Sequence, residues 1–196
     1  MNWYAYVGND PINSTDPTGM CTNNAKADAS DICQTTANMT SSQNGENQIK
    51  TQENPSGRLD VHDDGAGNPT SGYGHKDSSM TIGSTITQQQ ADSDFANDHS
   101  TAEGAVQNLV GSTPLSQNEF DAMTDLAFNV GSGTLNNSPN LKAAIAAGDY
   151  EAMSNNLKYT RATNAATGQK VSLKGLANRS AARRTLFRGK IKYKNP

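Results

Sequence analysis

The stretch Glu53–His75, ENPSGRLDVHDDGAGNPTSGYGH, decides how the rest of the chain is read. Glu53 stands ahead of a short alternating run, Leu59-Asp60-Val61-His62. A turn cluster, Asp63-Asp64-Gly65-Ala66-Gly67-Asn68-Pro69, breaks the alternation, and Thr70-Ser71-Gly72-Tyr73-Gly74-His75 closes it. Alternation interrupted by Gly, Asn and Pro predicts a small β-hairpin with an irregular loop. Asp63 and Asp64 stand at the mouth of that loop, and Glu53 stands just before the first strand. This placing lets a carboxylic acid and a carboxylate address one bond from opposite sides, the pairing that hydrolysis of a glycosidic bond requires.

The order Glu, Arg-Leu, Asp-x-x-Gly-x-x-Thr, Gly-Tyr-Gly-His resembles the active-site hairpin of phage-type lysozymes, glycoside hydrolase family 24. In that family the glutamate usually stands closer to the arginine. Here Asn54-Pro55-Ser56-Gly57 separates Glu53 from Arg58, which predicts a longer turn between the first helix and the hairpin. The resemblance implies Glu53 as general acid, Asp64 as the base that activates water, and Thr70 as the hydroxyl that holds that water. Asp63 is the rival base; it falls on a variable family position and suits an Asx-type turn. An apolar or carboxylate-rich pocket around Glu53 would raise its pKa and keep it protonated at neutral pH. Carboxyls of Glu53 and Asp64 about 6.5–9.5 Å apart would leave room for the water of an inverting enzyme. Arg58, Tyr73, His75, Asn129 and Arg179 are expected to bind substrate or support the site. With only His62, His75 and His99 and no second ligand at metal spacing, His75 is expected to be a hydrogen-bonding strut under the hairpin. Neither a metal nor a cofactor is expected.

Charge is unevenly placed. The net value is -3, yet all 19 acids lie in residues 1–151 with only Lys26, Lys50, Arg58, Lys76 and Lys142 among the bases. The basic remainder suits a polyanion, cell wall or nucleic acid, or is simply a solvated face. No run long enough to span a bilayer occurs. An N-terminal basic-then-apolar signal is missing as well, so the chain is expected to be made in the cytoplasm and carried out by other machinery. Cys21 and Cys33 leave a disulfide and two free thiols both open.

Residues 2–20, NWYAYVGNDPINSTDPTGM, resemble the end of an RHS-repeat core, where YAYVGNDP…DPxGL precedes a variable toxin domain; Met20 replaces the leucine. That resemblance implies a toxin payload delivered to the target-cell periplasm by contact-dependent machinery such as type VI secretion. It also implies a cognate immunity protein. Residues 21–48, rich in Asn, Ser, Thr, Gln and Ala, predict a polar linker or loosely packed lead-in helix. Ile49 is expected to begin the catalytic domain, residues 49–196.

Downstream, Thr87-Gln88-Gln89-Gln90 and Ser116-Gln117-Asn118-Glu119 both have the form of capping boxes. Ala91, Phe95, Ala102, Val106, Leu109 and Val110 recur at helical spacing, and Phe120, Met123, Leu126 and Ala127 line one face of the next helix. Phe120 through Gly131 resembles the family's central buried helix. Ser138-Pro139 and Asp149 open two more helices. Gly175-Leu176-Ala177-Asn178-Arg179 through Leu186-Phe187 resembles its closing helix, with Ser180 and Arg183 replacing an Arg and a Glu.

The expected fold is α+β, lysozyme-like, mostly helical, with a small β-hairpin lobe across a glycan cleft. The expected activity is hydrolysis of the β-1,4 bond between N-acetylmuramic acid and N-acetylglucosamine in peptidoglycan glycan strands. A catalytically inactive wall-binding tip domain is the alternative. A nuclease payload is disfavoured by the lack of a His-Asn-His or paired-carboxylate motif, so nucleic acid is not an expected partner.

Overall fold

In the computed structural model, residues 32–64, 67–163, 168–172 and 174–189 are described, and the RHS-like segment 2–20 lies outside them. The body is built around α3 (Gln117–Val130). Its start is fixed by a capping box: the Glu119 amide donates to Ser116 Oγ at 3.3 Å and the Ser116 amide donates to Glu119 Oε2 at 2.8 Å. Residues 118–127 are all buried. A helix enclosed on every side must pack against several neighbours, and α3 meets α1 (Gln43–Glu53), α2 (Gln88–Val110), α4 (Ser132–Asn136) and α7 (Lys174–Phe187). Phe120, Met123, Leu126 and Ala127 enter one continuous core with Val106, Leu115, Leu141, Met153, Leu157, Leu186 and Phe187.

Three other helices, α2 and two after α4, start where the sequence places them. Thr87 Oγ1 accepts from the Gln90 amide to open α2. Pro139 stands at the start of α5 (Pro139–Ala146). Asp149 accepts from the Ala152 amide at the start of α6 (Tyr150–Asn156).

The hairpin lobe is a three-stranded antiparallel sheet, β1 (His62–Asp63), β2 (Pro69–Ser71) and β3 (His75–Lys76). Thr70 is paired with His62 on one side and Lys76 on the other. The first strand begins later than the alternation suggested; ahead of it Asp60 makes only an isolated bridge to Thr85. The Gly-Tyr-Gly-His motif has a direct backbone cause. Gly72 and Gly74 both have positive φ, 54° and 94°, a conformation that costs glycine little. The turn they make sends Tyr73 onto α2, edge-on to Phe95 at 5.3 Å. Phe95 also lies 5.5 Å from Phe128 of α3, so one ring joins the lobe to the helical body.

Two parts of the domain differ from the sequence expectation. Residues 32–48 are not loosely packed: Met39 and Thr36 are buried, Gln34 bridges Leu115, and α1 starts at Gln43. Polar composition concealed this because the segment is held largely by polar contacts. Thr36 Oγ1 donates to Gly111 O, and the Ser42 amide donates to Asp121 Oδ1 at 2.9 Å. Cys33 is held in a disulfide; Cys21 lies outside the described residues. Secondly, β4 (Arg161–Thr163) and β5 (Lys170–Ser172), to which the sequence reading assigns no element, pair as an antiparallel ribbon.

Candidate active site

Glu53 is the last residue of α1. The residues between it and Arg58 form a turn of their own. Asn54 caps the helix, its amide donating to Lys50 O. Its side chain then accepts from the Arg58 amide at 2.7 Å and donates to Arg58 O at 2.8 Å. Gly57, at φ 66°, completes that exposed turn. The loop closes on itself.

Glu53 lies on a cavity of about 700 Å³ lined also by Gln52, Asn129, Gly175, Leu176, Asn178, Arg179 and Ala182. Its two oxygens have different surroundings. Oε1 accepts from Arg179 Nη1. Oε2 faces the hairpin, 3.7 Å from where a Cβ would sit on Gly74. One oxygen is therefore anchored to the helical body and the other is turned toward the lobe.

Behind Arg179 lies a charge cluster. Arg179 Nε donates to Asp125 Oδ1 at 2.9 Å, and its Nη2 donates to the same oxygen. Asp125 Oδ2 accepts from Arg183 Nε at 2.6 Å. Arg183 also donates to Leu157 O at 3.2 Å and, at 3.5 Å, to Asn129 Oδ1. The helices explain the meeting: Asp121, Asp125 and Asn129 recur every four residues on α3, and Arg179 and Arg183 do so on α7. Burial lowers the pKa of Arg183, and the neighbouring Arg179 charge adds to this while Asp125 opposes it. For Arg179, burial also acts to lower the value, but Asp125 and Glu53 outweigh it and the net direction is upward. Both guanidinium groups stay charged.

On the hairpin, Asp64 accepts from Lys76 Nζ at 2.6 Å, from Asn68 Nδ2 at 3.0 Å and from the Asn68 amide at 3.2 Å. Lys76 reaches it because β3 lies beside β2 in the sheet. Asp63 is exposed, and its Oδ1 accepts from the Gly67 amide at 2.8 Å, a local turn contact. Thr70 is buried, and its hydroxyl donates to Asn68 O at 3.2 Å. The Asn68 residue thus touches both Asp64 and Thr70.

The supporting residues divide. Asn129 and Arg179 lie on the cavity with Glu53. Tyr73 packs on Phe95 and accepts from Gln88 Nε2 at 3.2 Å. His75 Nδ1 meets Asp98 Oδ2 of α2 at 2.8 Å, tying the hairpin to that helix. Burial acts to lower the His75 pKa, but the Asp98 hydrogen bond and charge, with the charges of Asp94 and Asp77, outweigh it and raise the net value. Arg58 does not join the cavity; it pairs with Asp60 on the exposed surface. The alternating run carries both side chains to the same solvent-facing side of the chain, two residues apart. Among the described residues no cluster of His, Cys, Asp or Glu suits a metal ion, and no helix is long and apolar enough to cross a membrane.

Sequence reasoning did not assign roles to Asp125, Arg183, Lys76, Gln52 or Asn178. A signal for Asp125 was present: an acid four residues from Asp121 in an otherwise enclosed helix demands a buried partner.

The phage lysozyme family model matches residues 53–183. An endolysin of Acyrthosiphon pisum secondary endosymbiont phage 1 is 35% identical over 131 residues, covering 66% of this chain and 86% of that protein. Among solved structures, an endolysin from Escherichia coli O157:H7 phage FAHEc1 aligns with a TM-score of 0.69 at 27% identity, covering 80% of this chain and 98% of that one. The muramidase domain of SpmX from Asticaccaulis excentricus aligns with a TM-score of 0.61 at 32% identity, covering 74% and 95%.

Proposed function

Because the chain belongs to the phage lysozyme family, we propose that it hydrolyses the β-1,4 bond between N-acetylmuramic acid and N-acetylglucosamine, with inversion at the anomeric carbon. It is a glycoside hydrolase of the lysozyme class, acting on peptidoglycan. Glu53 is the general acid. Its Oε2 carries the proton to the glycosidic oxygen as the bond to the anomeric carbon breaks. Asp64 takes a proton from a water molecule, which attacks the opposite face of the sugar. Thr70 donates its hydroxyl proton to Asn68 O, so its oxygen is left to accept from that water. Lys76 and Asn68 hold the Asp64 carboxylate in place.

The observation that carries this reading is the divided environment of Glu53 on the rim of the 700 Å³ cavity, with one oxygen anchored and the other turned to the lobe bearing Asp64 and Thr70. Glu53→Gln and Asp64→Asn should each release at least a hundredfold fewer reducing ends from purified sacculi, in line with loss of acid or base catalysis. Mass spectrometry should identify hydrolytic muropeptides with reducing N-acetylmuramic acid. Anhydro products, or activity retained by Glu53→Gln, would reject the assignment.

The RHS-like residues 2–20 support delivery as an antibacterial effector to the target-cell periplasm, with an immunity protein in the producer. Directed to the periplasm of a sensitive bacterium, the chain should lyse it; the same chain retained in the cytoplasm should not. Equal toxicity in both compartments would argue against the wall as target.

A further inference from the structure

We infer that Arg183, which touches neither the cavity nor Glu53, is a positioning residue that sets the acid through Asp125 and Arg179. The inference rests on Glu53 being the acid proposed above. A guanidinium offers its donors in a rigid planar fork, and its usual match to a carboxylate uses both oxygens. Arg179 does not make that match. Its Nε and Nη2 both converge on Asp125 Oδ1, because Oδ2 is already taken by Arg183 Nε at 2.6 Å. Confined to one oxygen, the Arg179 fork keeps Nη1 aimed at Glu53 Oε1 at the end of α1. Arg183 is itself fixed from the far side by Leu157 O at 3.2 Å, and its side chain is 0% exposed. A chain of contacts therefore runs from the α6–α7 junction to one oxygen of the acid, leaving Oε2 for the hairpin side.

The titratable groups in this line of contacts are Glu53 from α1, Asp125 from α3, and Arg179 and Arg183 from α7; on the hairpin side Glu53 Oε2 lies 3.7 Å from where a Cβ would sit on Gly74. With Arg183 shortened to an apolar side chain, Asp125 Oδ2 becomes free. Arg179 can then rotate to a two-oxygen match with Asp125, which draws Nη1 away from Glu53.

The test compares Arg183→Met with Arg183→Lys, using initial rates on a soluble peptidoglycan oligosaccharide across a range of concentrations. Folding is checked separately by denaturant unfolding. Lysine keeps a donor on Oδ2, so Arg179 stays confined. Arg183→Met should lower kcat about tenfold, as a small misplacement of a catalytic group does, with KM within about twofold. Arg183→Lys should recover most of that kcat although it loses the contact with Leu157 O. Should the methionine variant not accumulate folded, Arg183→Gln takes its place and is read against lysine in the same way. Wild-type kcat in the uncharged variant overturns the inference, as does an equal loss in both variants that tracks their loss of stability. Failure of the parent reading is distinguishable: it appears as activity retained by Glu53→Gln, whereas an inactive Glu53→Gln beside a fully active Arg183→Met removes only the role of Arg183.

Discussion

Replacing Asp125 by asparagine removes the one negative charge that Arg179 and Arg183 share inside the protein. The side chains of Arg183, Asp125 and Arg179 are 0%, 3% and 10% exposed. Water therefore cannot replace the lost partner, and the asparagine Nδ2 places a donor against a donor. Breaking a buried ion pair by deleting one partner costs about 3–5 kcal/mol, and Arg179 keeps its bond to Glu53 Oε1. For a domain of this size that corresponds to a fall in Tm of about 6–20 °C. Arg183→Met should cost less, about 1–3 kcal/mol, because Asp125 keeps Arg179 and the principal loss is the bond to Leu157 O. In the double variant Asp125→Asn/Arg183→Met no second guanidinium is stranded. Its cost should fall short of the summed single costs by at least about 1 kcal/mol. Urea unfolding followed by circular dichroism measures all three. A cost below about 1 kcal/mol for Asp125→Asn, or additivity within about 0.5 kcal/mol in the double variant, refutes the reasoning.

His75 has its pKa raised by Asp98 on balance. Its contribution is fully present below the unfolded value of 6.5 and is lost as pH rises through the higher folded value. Asp98→Asn should thus cost about 0.5–1 kcal/mol near pH 5.5, solvent screening included, and clearly less near pH 9; a cost independent of pH would show that the charge plays no part. Gly45 stands inside α1 where an added Cβ would lie 2.8 Å from the Asp121 carboxylate. Gly45→Ala should therefore destabilise by about 1–3 kcal/mol despite the better helix propensity of alanine, and a more stable variant by thermal melting would contradict the packing. Thr70→Ala should lower kcat at least tenfold with little change in Tm, whereas parallel losses in both would make Thr70 a packing residue. Phe120→Ala, at 0% exposure, should cost about 3–5 kcal/mol in the same unfolding assay, and a loss under 1 kcal/mol would show that the site collapses around the missing ring.

Local chemistry in the sequence was enough for much of the fold. Ser116 and Glu119 start α3, Asp149 and Pro139 start their helices, and the Gly72-Tyr73-Gly74-His75 turn closes the lobe, because caps and positive-φ glycines act over a few residues. The apolar stripes of α2 and α3 were legible for the same reason, since helical periodicity is local. Glu53, Asp64 and Thr70 were proposed because one short stretch resembles the family's active-site hairpin. What spacing along the chain could not disclose were partners far apart in sequence. Arg183 meets Asp125, Lys76 meets Asp64 across the sheet, and Asp121 receives the start of α1 at Ser42. Polar composition before Ile49 read as a linker or loose lead-in helix, yet residues 32–48 pack through hydrogen bonds exchanged with α2 and α3. Ion pairs and caps of this kind depend on which faces the folded helices turn to one another, and that is decided only when the core closes around α3.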